Sequence, residues 1–349
     1  MQNGIENKDW LVFIPTFRML YDAGETTLDA FYKTMNVVTN YRFRALLKKV
    51  YAQMQEGERF SDALKKYPSV CPVFFPAIIK AGEESGDLSK ALKEVERYIR
   101  WSDDINMKIN RAVRSPIILL ILIVLVSLVI LNFVAPQIIL FLDGRQVGVP
   151  FFTETLLSFA HFLDAYGMQV VGIPILIWVG GTALRQMHSV FAKLFDYLYS
   201  LMPVSGKLYK DIALSRFLAV LSMLLSSNVR FDRALEIAKE ATGNHYLSAK
   251  FEKSVQEIKM GNDITGSLAA SGLFSESLMR VFALGEEYGH LETRIAEMSA
   301  EFSDRLAKRI DDVVSVVEPS LSVFMGAIIF WIVFAVIAPI YQSLGMMTP

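Results

Sequence analysis

GEESGDL, from Gly82 to Leu88, returns as GEEYGHL from Gly285 to Leu291, 203 residues further on. Pro116 and Pro319 stand at the same offset, as do Pro136 and Pro339. A motif, two prolines and the apolar run between them therefore recur without a gap. Further upstream Ala30 pairs with Ala234, Gly57 with Gly261 and Leu64 with Leu268, now 204 apart, so one residue is gained or lost in between. A single heptapeptide can repeat by chance. The whole series cannot, and the chain reads as two copies of one unit.

Each copy reads as helices. Leu88, Ala91, Leu92, Val95 and Ile99 follow the spacing of an amphipathic helix, and Leu291, Ile295, Met298, Phe302, Leu306 and Ile310 do the same. No stretch alternates with a period of two. Breaks at Gly24, near Asn40, at Gly57, at Tyr67-Pro68 and at Gly82 to Gly86 divide copy one into about six helices, the last entering an apolar run. Copy two breaks at Asn228, Gly243, Gly261, Gly272 and Gly285 to Gly289. Asn228 stands where copy one has Gly24, and Asn tolerates the left-handed backbone such a turn needs. The expected fold is all-α: two duplicated helical-bundle domains with three transmembrane helices.

The first span is Ile117 to Ala135, nineteen residues without a charge, about 28 Å as a helix. Gly167 to Leu184 is a second, weaker span, interrupted by Pro174 and Gly180-Gly181, and Ser320 to Ala338 is a third. Met1 to Gly24 carries Glu6, Asp9 and Pro15 and does not read as a signal peptide, so the first span is expected to act as its own insertion signal. Lys108, Arg111 and Arg114 precede span one, Arg185 and Lys193 follow span two, and Arg305, Lys308 and Arg309 precede span three. The stretch 136–166 holds only Arg145, and the last eleven residues hold no Lys or Arg. By the positive-inside rule, residues 1–116 form a cytoplasmic helical domain and 117–135 the first transmembrane helix. Residues 136–166 then form an outer loop, 167–184 the second transmembrane helix, 185–319 the second cytoplasmic domain, 320–338 the third transmembrane helix and 339–349 a short outer tail.

Composition agrees with soluble domains joined to a few spans. Of 349 residues 53% are hydrophobic and mean hydropathy is +0.36, yet 35 Lys+Arg and 36 Asp+Glu are too many for a wholly embedded transporter. A net charge of −1 offers no basic surface for nucleic acid. One cysteine, Cys71, excludes an internal disulfide and a Cys-based zinc site, and beside Pro72 it reads as an inert small residue. No HExxH, GxSxG or GxxxxGK[ST] occurs; Ser205-Gly206-Lys207 lacks the flanking residues of a phosphate loop. No Asp, Glu, Lys, Arg or His lies inside a span, which argues against a proton-driven carrier. We therefore expect no catalytic, cofactor-binding or metal-binding residues. A polytopic membrane enzyme or carrier is the alternative class.

The GEExGxL junctions carry the sharpest local signal. Gly82, Gly86, Gly285 and Gly289 can end one helix and let the next begin. Glu83 and Glu286, each followed by a second glutamate, admit three roles: helix-junction carboxylates, a docking surface for a basic partner, or a divalent-cation site. One acidic pair per copy falls short of the six to eight oxygens that Ca²⁺ takes. Pro116 and Pro319, at the inner membrane edge, read either as helix starts or as hinges between domain and span. Pro136 and Pro339 read as span ends. Ser127 and Asn132 can hydrogen-bond between helices in lipid. Phe151 to Tyr166, rich in Phe and Leu, either lies in the interface, extends span two outward or packs on a neighbouring helix.

The duplicated helical domain, GExxG in each copy, a span closed by Pro136-Gln137 and the following Val149-Pro150 with Thr153 resemble a known family. They are similar to the inner-membrane platform proteins of type II secretion and type IV pilus machines, the GspF/PilC family. The stretch from Ser215-Arg216-Phe217 to Ala234-Leu235 resembles the opening helices of that family's second domain. The chain begins close to the first domain, as in platform proteins of type IVb pili, and Asn228 replaces a usual glycine. The resemblance implies a non-enzymatic protein of the bacterial inner membrane with a cytoplasmic N-terminus. Its implied partners are a cytoplasmic hexameric assembly ATPase, pilin or pseudopilin, other inner-membrane assembly proteins and further copies of itself. The platform would pass ATPase motion to the pilins that enter the fibre.

Overall fold

The computed structural model describes residues 7–68, 70–129, 133, 136–137, 150–156, 158–159, 161–162, 165–166, 169, 172–173, 176 and 205–345. Among these residues regular structure is helical throughout, with no strand. Copy one comprises α1 (Asn7–Asp22), α2 (Thr27–Val37), α3 (Tyr41–Gln55), α4 (Phe60–Lys65), α5 (Phe74–Ser85) and α6 (Leu88–Val129). Copy two comprises α7 (Ser205–Ser226), α8 (Phe231–Ala241), α9 (His245–Lys259), α10 (Ile264–Ala269), α11 (Glu276–Glu287) and α12 (Leu291–Gly345). Ser205-Gly206-Lys207 simply opens α7.

The duplication is visible in how the helices start and stop. Asn40 caps α3 by accepting from the N–H groups of Arg42 and Phe43, and its counterpart Asn244 caps α9 by accepting from Leu247. Gly24, with φ 92°, and Asn228, with φ 60°, both adopt the left-handed conformation, so the turn survives the exchange of residue.

The chain divides into two compact units. Met1–Met107 with His188–Arg309 make one, and Lys108–Met187 with Ile310–Pro349 make the other. In the first unit both copies share one apolar core. Copy one fills its part with Phe13, Phe17, Phe31, Phe43 and Phe60, all fully buried and mostly meeting edge to face. In copy two Phe217 stacks on Phe251 at 4.1 Å. Each such ring contributes about 1.5–3 kcal/mol by leaving water. The copies meet where α5 packs against α7 and α8.

The prolines correct two sequence expectations. Pro116 lies inside α6, a continuous helix of 42 residues, and Pro319 inside α12, which has 55. Neither is a helix start. Pro339 does not end the helix either, because α12 runs on to Gly345, although the apolar stretch long enough to cross a membrane stops at Ala338.

Among the described residues one helix is long and apolar enough to cross a membrane, Leu291–Ala338 of α12, with a mean hydropathy of 2.7 in its most apolar window. The first expected span is helical as far as Val129, and Asn132 and the side chain of Ser127 fall outside the described residues. Of the second, residues 169, 172–173 and 176 are described, and all are helical. Residues 151–156 are helical as well. They belong to the second unit with the part of α12 from Ile310 onward, and Phe152 meets Phe334 at 5.6 Å. Phe152, Thr153 and Thr155 thus pack on α12.

Candidate functional site

Each GEExGxL junction joins a twelve-residue helix to the long helix that follows it. Its two glycines do different work. Gly86 and Gly289 are left-handed, at φ 74° and 70°, and turn the chain between the helices. Gly82 and Gly285 are helical and serve close approach. A Cβ on Gly82 would stand 2.4 Å from the Cβ of Ala91, so α5 can cross α6 there only without a side chain. At Gly285 the nearest atom is Cδ2 of Leu291 at 3.3 Å, the tip of a flexible side chain. Of the four junction glycines only these two, Gly86 and Gly289, are left-handed. Gly82→Ala should cost roughly 1–3 kcal/mol by overpacking and Gly285→Ala distinctly less. Thermal unfolding of the two purified variants tests this, and equal losses would contradict it.

The first glutamate of each motif is half-buried and turned towards a short helix of its own copy. The Ser61 hydroxyl donates to Glu83 Oε2 at 2.5 Å and the Ser61 N–H to Oε1 at 3.4 Å. In copy two the N–H of Ile264 donates to Glu286 Oε1 at 2.7 Å. The Thr265 N–H and hydroxyl both donate to Oε2, at 2.9 and 2.6 Å. These donors belong to the first turn of α4 and α10, where backbone N–H groups lack partners within the helix and the dipole favours an anion. Arg59, at the N-cap of α4, makes no side-chain cap bond. Glu83 supplies the cap from 22 residues away. Burial pushes the Glu286 carboxyl upward, but the hydrogen bonds from Thr265 and Ile264 outweigh it and hold it below the usual carboxylate range.

Glu83 and Glu286 are therefore not the solvent-facing pair. The exposed acids are the second glutamates, Glu84 and Glu287. Glu84 lies 3.8 Å from both Arg59 and Lys80, a loose surface arrangement. Sequence reasoning missed Ser61 and Thr265. Their signal is available: both carry a hydroxyl at equivalent positions, 204 apart, in the first turn of a short helix. Among the described residues no group of three or more His, Cys, Asp or Glu could hold a metal ion.

Glu84 also lines a cleft of ≈ 760 Å³ between the copies, walled by α4 and α5 on one side and by the α7–α8 turn on the other. Cys71 sits against it, buried, and burial pushes its thiol far up, so it stays protonated and unreactive.

In the second unit Thr153 is fully buried, and its hydroxyl donates to the carbonyl of Ala335 at 2.7 Å. That carbonyl would ordinarily accept from the N–H four residues on, but residue 339 is proline and has none. Thr153 thus completes the ladder of α12 where Pro339 interrupts it. Beside it the Trp331 indole N–H donates to Thr155 Oγ1 at 3.3 Å.

Duplicated bundles, each ending in a long helix with an apolar continuation, define a membrane-associated repeat protein. The family described as "Type II secretion system (T2SS), protein F" matches it twice, over residues 13–136 and 217–339. The chain belongs to that family. Both matched segments contain a GEExG junction, and they end at Pro136 and Pro339. The chain is 26% identical over 345 residues to the type IV pilus assembly protein PilC of Myxococcus xanthus, covering 98% of this chain and 82% of the relative. It is 28% identical over 308 residues to the type II secretion system protein F of Pseudomonas aeruginosa, covering 86% and 74%. It is 25% identical over 354 residues to PilC of Thermus thermophilus, covering 100% and 86%.

Proposed function

We propose that the chain is an inner-membrane platform protein that couples a cytoplasmic assembly ATPase to the entry of pilin or pseudopilin into a growing type IV pilus or type II secretion fibre. The observation that supports this reading best is the family match over both copies, with relatives named for pilus assembly and for secretion. On this reading the protein is not an enzyme. The Lys and Arg distribution supports three crossings, with residues 1–116 and 185–319 in the cytoplasm and the C-terminus outside.

The GEExG junctions are the proposed docking surface. Glu83 and Glu286, with Gly82, Gly86, Gly285 and Gly289, hold the backbone in place, and Glu84 and Glu287 present charge to a basic face of the ATPase. Force applied there would travel along α6 or α12 past Pro116 or Pro319. Each proline removes one backbone hydrogen bond and so makes the natural point of bending.

Deleting the chain from a strain that keeps its ATPase and pilin should abolish surface fibres or secretion while pilin accumulates in the inner membrane. Complementation with Glu84→Lys/Glu287→Lys should restore a normally folded, membrane-inserted protein but little assembly. Fibres that persist after deletion would refute the platform role. Full assembly with the double variant would remove the docking role alone.

A further inference from the structure

The interface between the two copies is one-sided. Copy one contributes its α5 side and copy two its α7–α8 side, and these are the helix contacts of appreciable extent between the copies among the described residues. Were the arrangement reciprocal, α11 would pack on α1 and α2, and equivalent positions would be buried in both copies. They are not. Arg216, Val220, Met223 and Ser227 form one stripe on α7. Arg216 is close enough to act on the Tyr98 phenol of copy one, and Ser227 lines the cleft between the copies. The matching stripe on α1 is Val12, Thr16, Met19 and Ala23. Met223 is 3% exposed, and its counterpart Met19 is 62% exposed.

The other half of the contact shows the same contrast. The Glu94 side chain on α6 is 10% exposed and close enough to Glu292 of copy two for the carboxylates to repel, whereas its counterpart Glu297 is 58% exposed. Ala81 and Ser85 line the cleft on copy one, and their counterparts on α11 are Leu284 and Tyr288, exposed by 49% and 66%. A duplicated chain with a heterologous internal contact thus leaves one half of the same contact open at each end.

We infer that a second copy of this chain covers these faces, α11 of one chain docking on α1 and α2 of the next as α5 docks on α7 and α8 within a chain. Heterologous contacts of this kind build closed rings or open filaments. Both copies lead through their sixth helix into an apolar run in the same direction along the chain.

The test is cross-linking of the full-length protein in native membranes with a short bifunctional maleimide. The Met19→Cys/Leu284→Cys chain should give a ladder of dimers and higher species, and each single variant should stay monomeric. Two single-variant chains expressed together should give dimers and nothing longer, the signature of a head-to-tail contact. Adding Val12→Arg to the double variant should reduce the ladder by on the order of tenfold, because a charge is buried without a partner. All these positions are exposed, and unchanged protease resistance verifies folding; Tyr288→Cys replaces Leu284→Cys if that variant misfolds. A ladder from Met19→Cys alone would show a reciprocal contact and overturn the inference. So would a double variant that remains monomeric in a strain that still makes fibres. Loss of fibres with the ladder intact would count against the platform reading and leave this contact standing.

Discussion

Thr153→Val should destabilise the membrane-associated unit, and Pro339→Ala in the same chain should reverse the loss. Valine keeps the shape of threonine but cannot donate, so the Ala335 carbonyl is left buried with neither the Thr153 hydroxyl nor a backbone N–H. An orphaned buried acceptor costs about 1–3 kcal/mol. Pro339→Ala restores the missing N–H within α12, so the helix satisfies Ala335 by itself and Thr153 becomes dispensable. Pro339→Ala alone should be nearly neutral. Unfolding of the four proteins in detergent gives the coupling directly, and we expect it to exceed about 1 kcal/mol. Strictly additive effects would show that the Thr153 bond and the missing N–H are unrelated.

Glu286→Gln should be the next most damaging of the conservative changes. One carboxylate oxygen serves Ile264 and the other serves the Thr265 N–H and hydroxyl. Glutamine keeps a single acceptor, places an NH₂ against a donor and removes the charge that the start of α10 favours. The expected loss is on the order of 1–3 kcal/mol, since bonds to a charged group are among the stronger ones. The pH dependence has a definite sign. The folded Glu286 carboxyl titrates below its unfolded counterpart, so its contribution is complete above the unfolded value near ~4.3 and is lost as pH falls through the folded one. Stability of the wild type should therefore decline more steeply than that of Glu286→Gln as pH falls below the unfolded carboxylate value. Parallel curves would mean that the carboxylate charge does not stabilise the start of α10.

Much of the fold was legible because a duplication tests itself. Each turn residue could be checked against its counterpart, and Gly24 with Asn228, Gly57 with Gly261 and Gly86 with Gly289 are all left-handed in the structure. The tertiary roles were not legible. GEExG looks like one turn motif, but Gly82 answers to Ala91 on the next helix and Glu83 to Ser61, 22 residues before it. Local spacing carries no trace of Ala91, and only the recurrence of a hydroxyl at Ser61 and Thr265, 204 residues apart, hints at the glutamates' partners. Pro339 reads as a stop because proline interrupts an isolated helix. It does not stop α12, since Thr153, far away in sequence, takes the carbonyl it leaves free. The exposed faces of α1 and α11 were likewise invisible, because an amphipathic pattern marks which side is apolar and not which neighbour covers it.

The central claim is that these bundles transmit the work of an ATPase to a fibre. The most direct measurement is co-purification of the assembly ATPase with the full-length chain, extracted in mild detergent from cells that are building fibres. The wild type should bring the ATPase down and raise its turnover, and Glu84→Lys/Glu287→Lys should lose both effects while remaining folded and inserted. A wild-type chain recovered from fibre-building cells without the ATPase, and without effect on its turnover, would contradict the coupling.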